Sequence, residues 1–162
     1  MNTSKMNRRV LAIDPGFDRL GLAVLEGDPS RPTLLWSDCV IPKKGDPSTR
    51  LAAVYAAVGE AIATYSPTCV ALETLFFSKN VKTAFGVAEA RGAVLAAGGA
   101  AKLPVHEYSP QQVKIAVTGY GAADKKAVAQ MIPKLLTLIP KKRLDDEFDA
   151  IALGIAALPA AR

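Results

Sequence analysis

Two carboxylates stand where short apolar runs end. Asp14 follows Val10-Leu11-Ala12-Ile13 and precedes the turn residues Pro15-Gly16, and Glu73 follows Cys69-Val70-Ala71-Leu72. An ion at the end of a buried strand loses hydration, so it calls for a compensating partner. A third acidic group, Asp145-Asp146-Glu147-Phe148-Asp149, opens an apolar stretch that reads as a helix. Asp146 and Asp149 are three residues apart, share a helix face, and sit where the helix dipole favours anions. Taken singly, each group has an ordinary structural reading: a turn residue, a carboxylate paired with a lysine, a capping pattern. Taken together, they match the oxygen ligands that hold hard divalent cations. Two-metal phosphodiester cleavage needs several such acids around ions about 3.5 to 4 Å apart. Asp145 reads as the helix cap, and Glu147 is less favoured than Asp146 because Asp146 is the i, i+3 partner of Asp149.

Other chemistries are poorly supplied. His106 is the only histidine and lies in a strand-like segment; no Cys-x-x-Cys or His-x-x-x-His pair offers a zinc site, and no Gly-rich Walker loop is present. An actin-like ATPase shares an Asp-x-Gly strand turn, but Phe17 and Asp18 follow where a phosphate-binding hydroxyl is wanted.

The net charge of +5 is unevenly distributed. Residues 1–77 carry 8 bases and 8 acids, residues 78–143 carry 11 bases and 3 acids, and residues 144–162 carry 4 acids and 1 base. A middle stretch of net +8 is the footprint expected for a polyanion, because neutralised phosphates release counterions. Solvated helix faces are the competing reading. Phe76-Phe77 follows Glu73 closely and runs into Ser78-Lys79-Asn80. Two adjacent aromatics cannot both point to one side, so an exposed Phe beside the acids could stack on unpaired bases, against the alternative that both are core.

Those residues need elements to position them. Apolar runs at Arg9–Ile13, Leu20–Leu25 and Leu34–Ile41, bounded by Gly, Pro and Asp, predict an antiparallel meander. Helices are expected over Ser48–Tyr65, Val81–Gly98, Pro110–Thr118, Ala122–Leu138 with a kink at Pro133, and Asp145–Leu158, with short strands at Cys69–Leu72 and Leu103–Tyr108. Strand-helix-strand returns imply parallel crossovers, so the expected fold is α/β: one mixed five-stranded sheet, meander plus two parallel strands, with helices on both faces. Asp14 and Glu73 then share one edge of the sheet.

At 162 residues, half hydrophobic and 22% charged, the chain suits one domain over residues 9–162, with residues 1–8 as a disordered extension. Its longest apolar run, Ala150–Ala161, is too short to span a bilayer, and no secretory signal is read at the start. Cys39 and Cys69 read as buried free thiols, and a cytoplasmic location is expected.

These residues resemble the RuvC-type Holliday junction resolvases. The resemblance rests on Ile13-Asp14-Pro15-Gly16 with Gly21, Leu72-Glu73 with Phe76-Phe77-Ser78-Lys79-Asn80, Ala88-Glu89-Ala90-Arg91-Gly92, Tyr108-Ser109-Pro110-Gln111-Gln112-Val113-Lys114 with Gly119-Tyr120-Gly121, and Asp146 to Ala152, and it runs from about Arg9 to Leu158. It implies an RNase H-like fold and symmetric cutting of four-way DNA junctions by a homodimer during recombination and repair. It further implies two Mg²⁺ or Mn²⁺ ions per site and partnership with the RuvA–RuvB branch-migration complex. Carried over, it makes Asp14, Glu73, Asp146 and Asp149 the catalytic metal ligands. Phe76, with Phe77 beside it, becomes the base-stacking aromatic, and Lys114 and Lys125 become phosphate contacts. Lys126 competes with Lys125 for that role, and Lys79, Asn80 and Arg91 are further DNA-contact candidates. Some family members carry histidine at the position of Asp146, so an all-carboxylate site is expected here. A related nuclease acting on flaps or RNA–DNA hybrids, and a non-catalytic junction-binding protein, are the alternatives; retention of all four acids argues against the second.

Overall fold

A computed structural model describes residues 8–75 and 81–161. Along the chain run β1 (Arg9–Pro15), β2 (Leu20–Asp28), β3 (Arg31–Val40), α1 (Pro47–Tyr65), β4 (Cys69–Glu73), α2 (Val81–Ala100), β5 (Val105–Tyr108), α3 (Pro110–Thr118), α4 (Lys125–Leu135) and α5 (Asp145–Ala157), then a 3₁₀ turn at Leu158–Ala160. The strands form one sheet in the order β3-β2-β1-β4-β5; β1–β2 and β2–β3 pair antiparallel, β1–β4 and β4–β5 parallel. That is the mixed sheet expected from the sequence.

The strand period of two divides the apolar residues between two layers. Val10, Ala12, Ala23, Leu25 and Ala71 face α3, α4 and α5, where Val113, Ile132, Ile151 and Leu153 cover them. Leu11, Ile13, Leu22, Val24, Val70 and Leu72 face α1 and α2, against Val54, Val58 and Val94. Both faces of β1 are therefore covered, which is why Val10 to Ile13 reads as a continuous apolar run rather than an alternating one. Each buried Leu or Ile contributes about 1.5 to 3 kcal/mol.

Local chemistry sets the helix ends. Asp46 caps α1 by accepting from Thr49 N at 3.0 Å, with Pro47 as the first helical residue, and Ser66, at φ 48°, closes it ahead of Pro67. Ser109 and Gln112 form a reciprocal capping box at α3, and Gly119, at φ 77°, ends it. Several expected bounds move. The β2–β3 ladder continues to Asp28↔Arg31, because backbone pairing carries on where the side chains become polar. The fourth helix is shorter than Ala122–Leu138: Asp124 caps it by accepting from Ala127 N, and it ends at Leu135, two residues after Pro133 removes a backbone donor. Arg8, expected in the extension, already joins the sheet margin by accepting from Gly27 N at 2.9 Å. The rest of the expected extension, residues 1–7, lies outside the described residues. Cys69 is a buried thiol as expected, whereas Cys39 on the edge strand is only half-buried. No helix among the described residues is long and apolar enough to cross a membrane.

Helix α5 approaches β2 unusually closely. A Cβ on Gly21 would lie 1.9 Å from the main-chain oxygen of Asp146, and one on Gly154 would lie 2.4 Å from Leu25 Cδ1. Glycine at these positions lets the acidic start of α5 rest directly on the sheet beside Asp14, whose β2 partner is Gly21. Gly21→Ala should therefore lower stability by at least about 1 to 3 kcal/mol, since the clash is with backbone and no rotamer relieves it. Urea melts check this, and an unchanged midpoint would contradict the close contact.

Candidate active site

The parallel register that pairs Ile13 with Leu72 brings the next residues, Asp14 and Glu73, to neighbouring strand ends. Asp146 and Asp149 approach from the first turns of α5, Asp146 Oδ1 coming within 3.6 Å of the Cβ position of Gly16. Burial, then the charges of Asp149, Glu73 and Asp146, push the Asp14 carboxyl up from 3.8 to about 7, with Lys125 opposing. Glu73 is likewise raised, by burial and then Asp149, with Lys125 and Lys114 opposing. All four acids named from the sequence thus belong to one electrostatically coupled group.

Two bases touch that group. Lys125, the first residue of α4, holds its ammonium 2.8 Å from Asp149 Oδ2, and Arg19 Nε lies 3.1 Å from Asp146 Oδ2. Asp146 Oδ2 is nevertheless enclosed without a hydrogen bond, the Arg19 contact being off-line for one. Four carboxylates against these two contacting cations leave the group acidic when all are ionised, with Lys114 a further base acting on Glu73. Among the described residues no three or more carboxylate, thiol or imidazole side chains stand close enough together, as placed, to hold a metal ion between them. The donor set is nonetheless all oxygen, anionic and partly orphaned, which fits a hard divalent cation.

The other expected residues separate. Lys114, half-buried on α3, is close enough to act on Glu73. Lys126 is exposed and makes no ion pair among the described residues, so Lys125 is the lysine that meets the acids. Arg91 turns inward: its guanidinium donates to Glu73 O at 2.8 Å and pairs with Glu107, tying the end of β4 to β5. Phe76, Phe77, Lys79 and Asn80 lie outside the described residues. Asp145 is not the cap of α5; Leu144 holds that position without a side-chain hydrogen bond, and Asp145 is the first helical residue. The chain before α5 is instead anchored from within the helix.

That anchor is Glu147, which sequence reading set aside. It is 3% exposed, and its Oε1 accepts from Ser37 Oγ at 2.6 Å while Lys141 Nζ and Arg143 Nε lie at 2.7 and 3.2 Å. Lys141 also donates to Ser37 O, so the segment entering α5 is fastened to β3. Removing one partner of such a buried group typically costs about 3 to 5 kcal/mol. Neither Arg19 nor Thr74 carries a local sequence signal; Thr74 Oγ1 is buried without a hydrogen-bond partner. A cavity of about 230 Å³ is lined by Asp14, Glu73, Thr74, Arg91 and Pro110, among others.

The family model described as crossover junction endodeoxyribonuclease RuvC matches residues 10–157. Crossover junction endodeoxyribonuclease RuvC of Moorella thermoacetica is 43% identical over 147 residues, covering 90% of this chain and 88% of that protein. The protein of the same name from Heliobacterium modesticaldum is 44% identical over 147 residues, covering 90% and 91%. The structure of Thermus thermophilus RuvC in complex with Holliday junction substrate superposes with a TM-score of 0.87 at 35% identity, covering 95% of each chain. A yeast mitochondrial Holliday junction resolvase, at 11% identity and a TM-score of 0.69 over 92% of this chain and 77% of its own, shares the fold.

The raised carboxyl of Asp14 gives a pH signature. Because its folded value of about 7 exceeds the ordinary 3.8, its contribution to metal-free stability is present below pH 3.8 and is lost as pH rises to about 7. A cation binds the ionised form, so the rise in melting temperature on adding Mn²⁺ should be larger at pH 8 than at pH 5. Equal shifts at both pH values, or none, would count against a cation at these acids.

Proposed function

The chain belongs to the crossover junction endodeoxyribonuclease RuvC family, and from that premise we propose how its own residues cut DNA. It is a metal-dependent endonuclease that resolves four-way Holliday junctions in recombination and repair. The observation that carries the residue assignment is the convergence of four coupled carboxylates from two strand ends and the first turns of one helix. Asp14, Glu73, Asp146 and Asp149 hold two ions, Mg²⁺ or Mn²⁺. Bound there, the ions would supply a polarised phosphate and an activated water.

The protein's part is to gather and orient. Asp14 and Glu73 are fixed by the sheet, and Asp146 and Asp149 by α5 and its buried anchor at Glu147. Lys125, whose pair with Asp149 is exposed and weak, would turn to the phosphate and offset the charge that develops on it, assisted by Lys114. Phe76, beside Phe77, stacks on a base near the crossover, with Lys79 and Asn80 on the adjoining backbone and Lys126 on a neighbouring phosphate. Arg91 serves by holding Glu73 in place.

The working unit is a homodimer. A junction presents two equivalent strands, and a two-fold assembly presents two equivalent sites. The outward face of α2 supports this reading, since Ala88, Gly92, Ala96 and Gly99 are exposed and a Cβ at Gly92 would meet nothing in its own chain. The cuts then fall symmetrically in opposed strands, leaving ends that ligase can seal. The RuvA–RuvB branch-migration complex is the partner that would present a mobile crossover to this dimer, and co-purification of the three on junction DNA is its check.

Asp14→Asn removes one proposed ligand while keeping the shape of the side chain. Gel-shift assays should show junction binding within about threefold of wild type, and cleavage should fall by at least a hundredfold, the scale of losing a catalytic group. Mixed with wild-type chains, it should yield single-strand nicks in place of paired cuts. Normal cleavage by the variant alone would remove Asp14 from the site.

A further inference from the structure

Among the described residues only two enclosed side-chain polar atoms lack a hydrogen-bond partner, Asp146 Oδ2 and Thr74 Oγ1. The first belongs to the acidic group. The second sits one residue beyond Glu73 and lines the same 230 Å³ cavity as Asp14 and Glu73. A buried, unpartnered hydroxyl weakens a fold, so its presence needs another explanation.

Its surroundings supply one. The main chain of Thr74 is fixed, its N–H donating to Tyr108 O at 2.8 Å, so the side chain is presented from a rigid strand end. The carboxylates around the cavity only accept hydrogen bonds when ionised. The guanidinium of Arg91, the cation lining this cavity, is committed to Glu73 O and Glu107. Thr74 is therefore a wall residue with an uncommitted donor, in a cavity whose carboxylates repel the oxygens of an entering phosphodiester. We infer that Thr74 is a further substrate-contacting residue, whose Oγ1–H donates to a non-bridging oxygen of the scissile phosphate. No bond to Thr74 forms or breaks; the hydroxyl orients the phosphate and stabilises the charge that grows on its oxygens as the attacking oxygen adds. The inference rests on the nuclease reading of the same cavity.

Thr74→Val keeps the shape and deletes the hydroxyl, and Thr74→Ser keeps the hydroxyl. Three quantities are measured for each: melting temperature, affinity for a synthetic four-way junction in EDTA, and single-turnover cleavage of that junction with Mn²⁺. Thr74→Val should melt at or above the wild-type temperature and bind within twofold, yet cut at least tenfold more slowly, with Thr74→Ser restoring the rate to within about threefold. Wild-type cutting by Thr74→Val overturns the inference. So does a slower rate accompanied by a lower melting temperature, which makes the hydroxyl structural, or a rate that serine fails to restore. Should the wild-type protein bind the junction without cutting it, the nuclease reading itself fails.

Discussion

Four carboxylates crowd together where β1 and β4 end and α5 begins, and like charges gathered out of water repel. That repulsion is visible in the Asp14 carboxyl, pushed up to about 7 first by burial and then by its three acidic neighbours. Much of the molecule serves to hold the groups there regardless. Covered on both faces, β1 cannot shift its end toward solvent. Gly21 lets the backbone of α5 rest on the sheet, and Arg91 secures the carbonyl of Glu73. The opening dipole of α5 offsets part of the charge on Asp146 and Asp149.

Two kinds of ion pair divide the work. Lys125 is 80% exposed where it meets Asp149, and pairs of that kind are worth at most about 1 kcal/mol. Such a contact can yield to a cation or a phosphate at little cost, as the proposed role of Lys125 requires. The side chains of Glu147 and Arg143 are both almost wholly buried, and their contact cannot be given up so easily. Breaking it would strand a buried charge, so the segment entering α5 is held far more firmly than Lys125 is held to Asp149.

Much of this was legible in the residues. The mixed sheet, its two helical layers and the meeting of Asp14 with Glu73 at neighbouring strand ends followed from apolar runs that end on carboxylates, because burial on both faces leaves an unbroken signature. What escaped reading depends on contacts between distant positions. Ser37 and Glu147 are 110 residues apart, and no local spacing announces their bond. The basic middle stretch was read as a single DNA-facing footprint, yet Lys141 and Arg143 turn to Glu147 and Arg91 turns to Glu107. Charge counted along a chain does not say which bases are spent internally. Asp145 was mistaken for a cap because an acid before a helix usually is one, whereas here the helix start is tethered through Glu147.

These acids, with divalent cations, are proposed to make a paired and structure-selective cut. Mapping the cuts on a synthetic mobile four-way junction at nucleotide resolution, with flap and RNA–DNA hybrid substrates alongside, tests it most directly. Incisions are expected at symmetry-related positions in two opposed strands, only with Mg²⁺ or Mn²⁺, with little cutting of the other substrates. Unpaired cuts, cutting in EDTA, or equal turnover of the hybrid would contradict it.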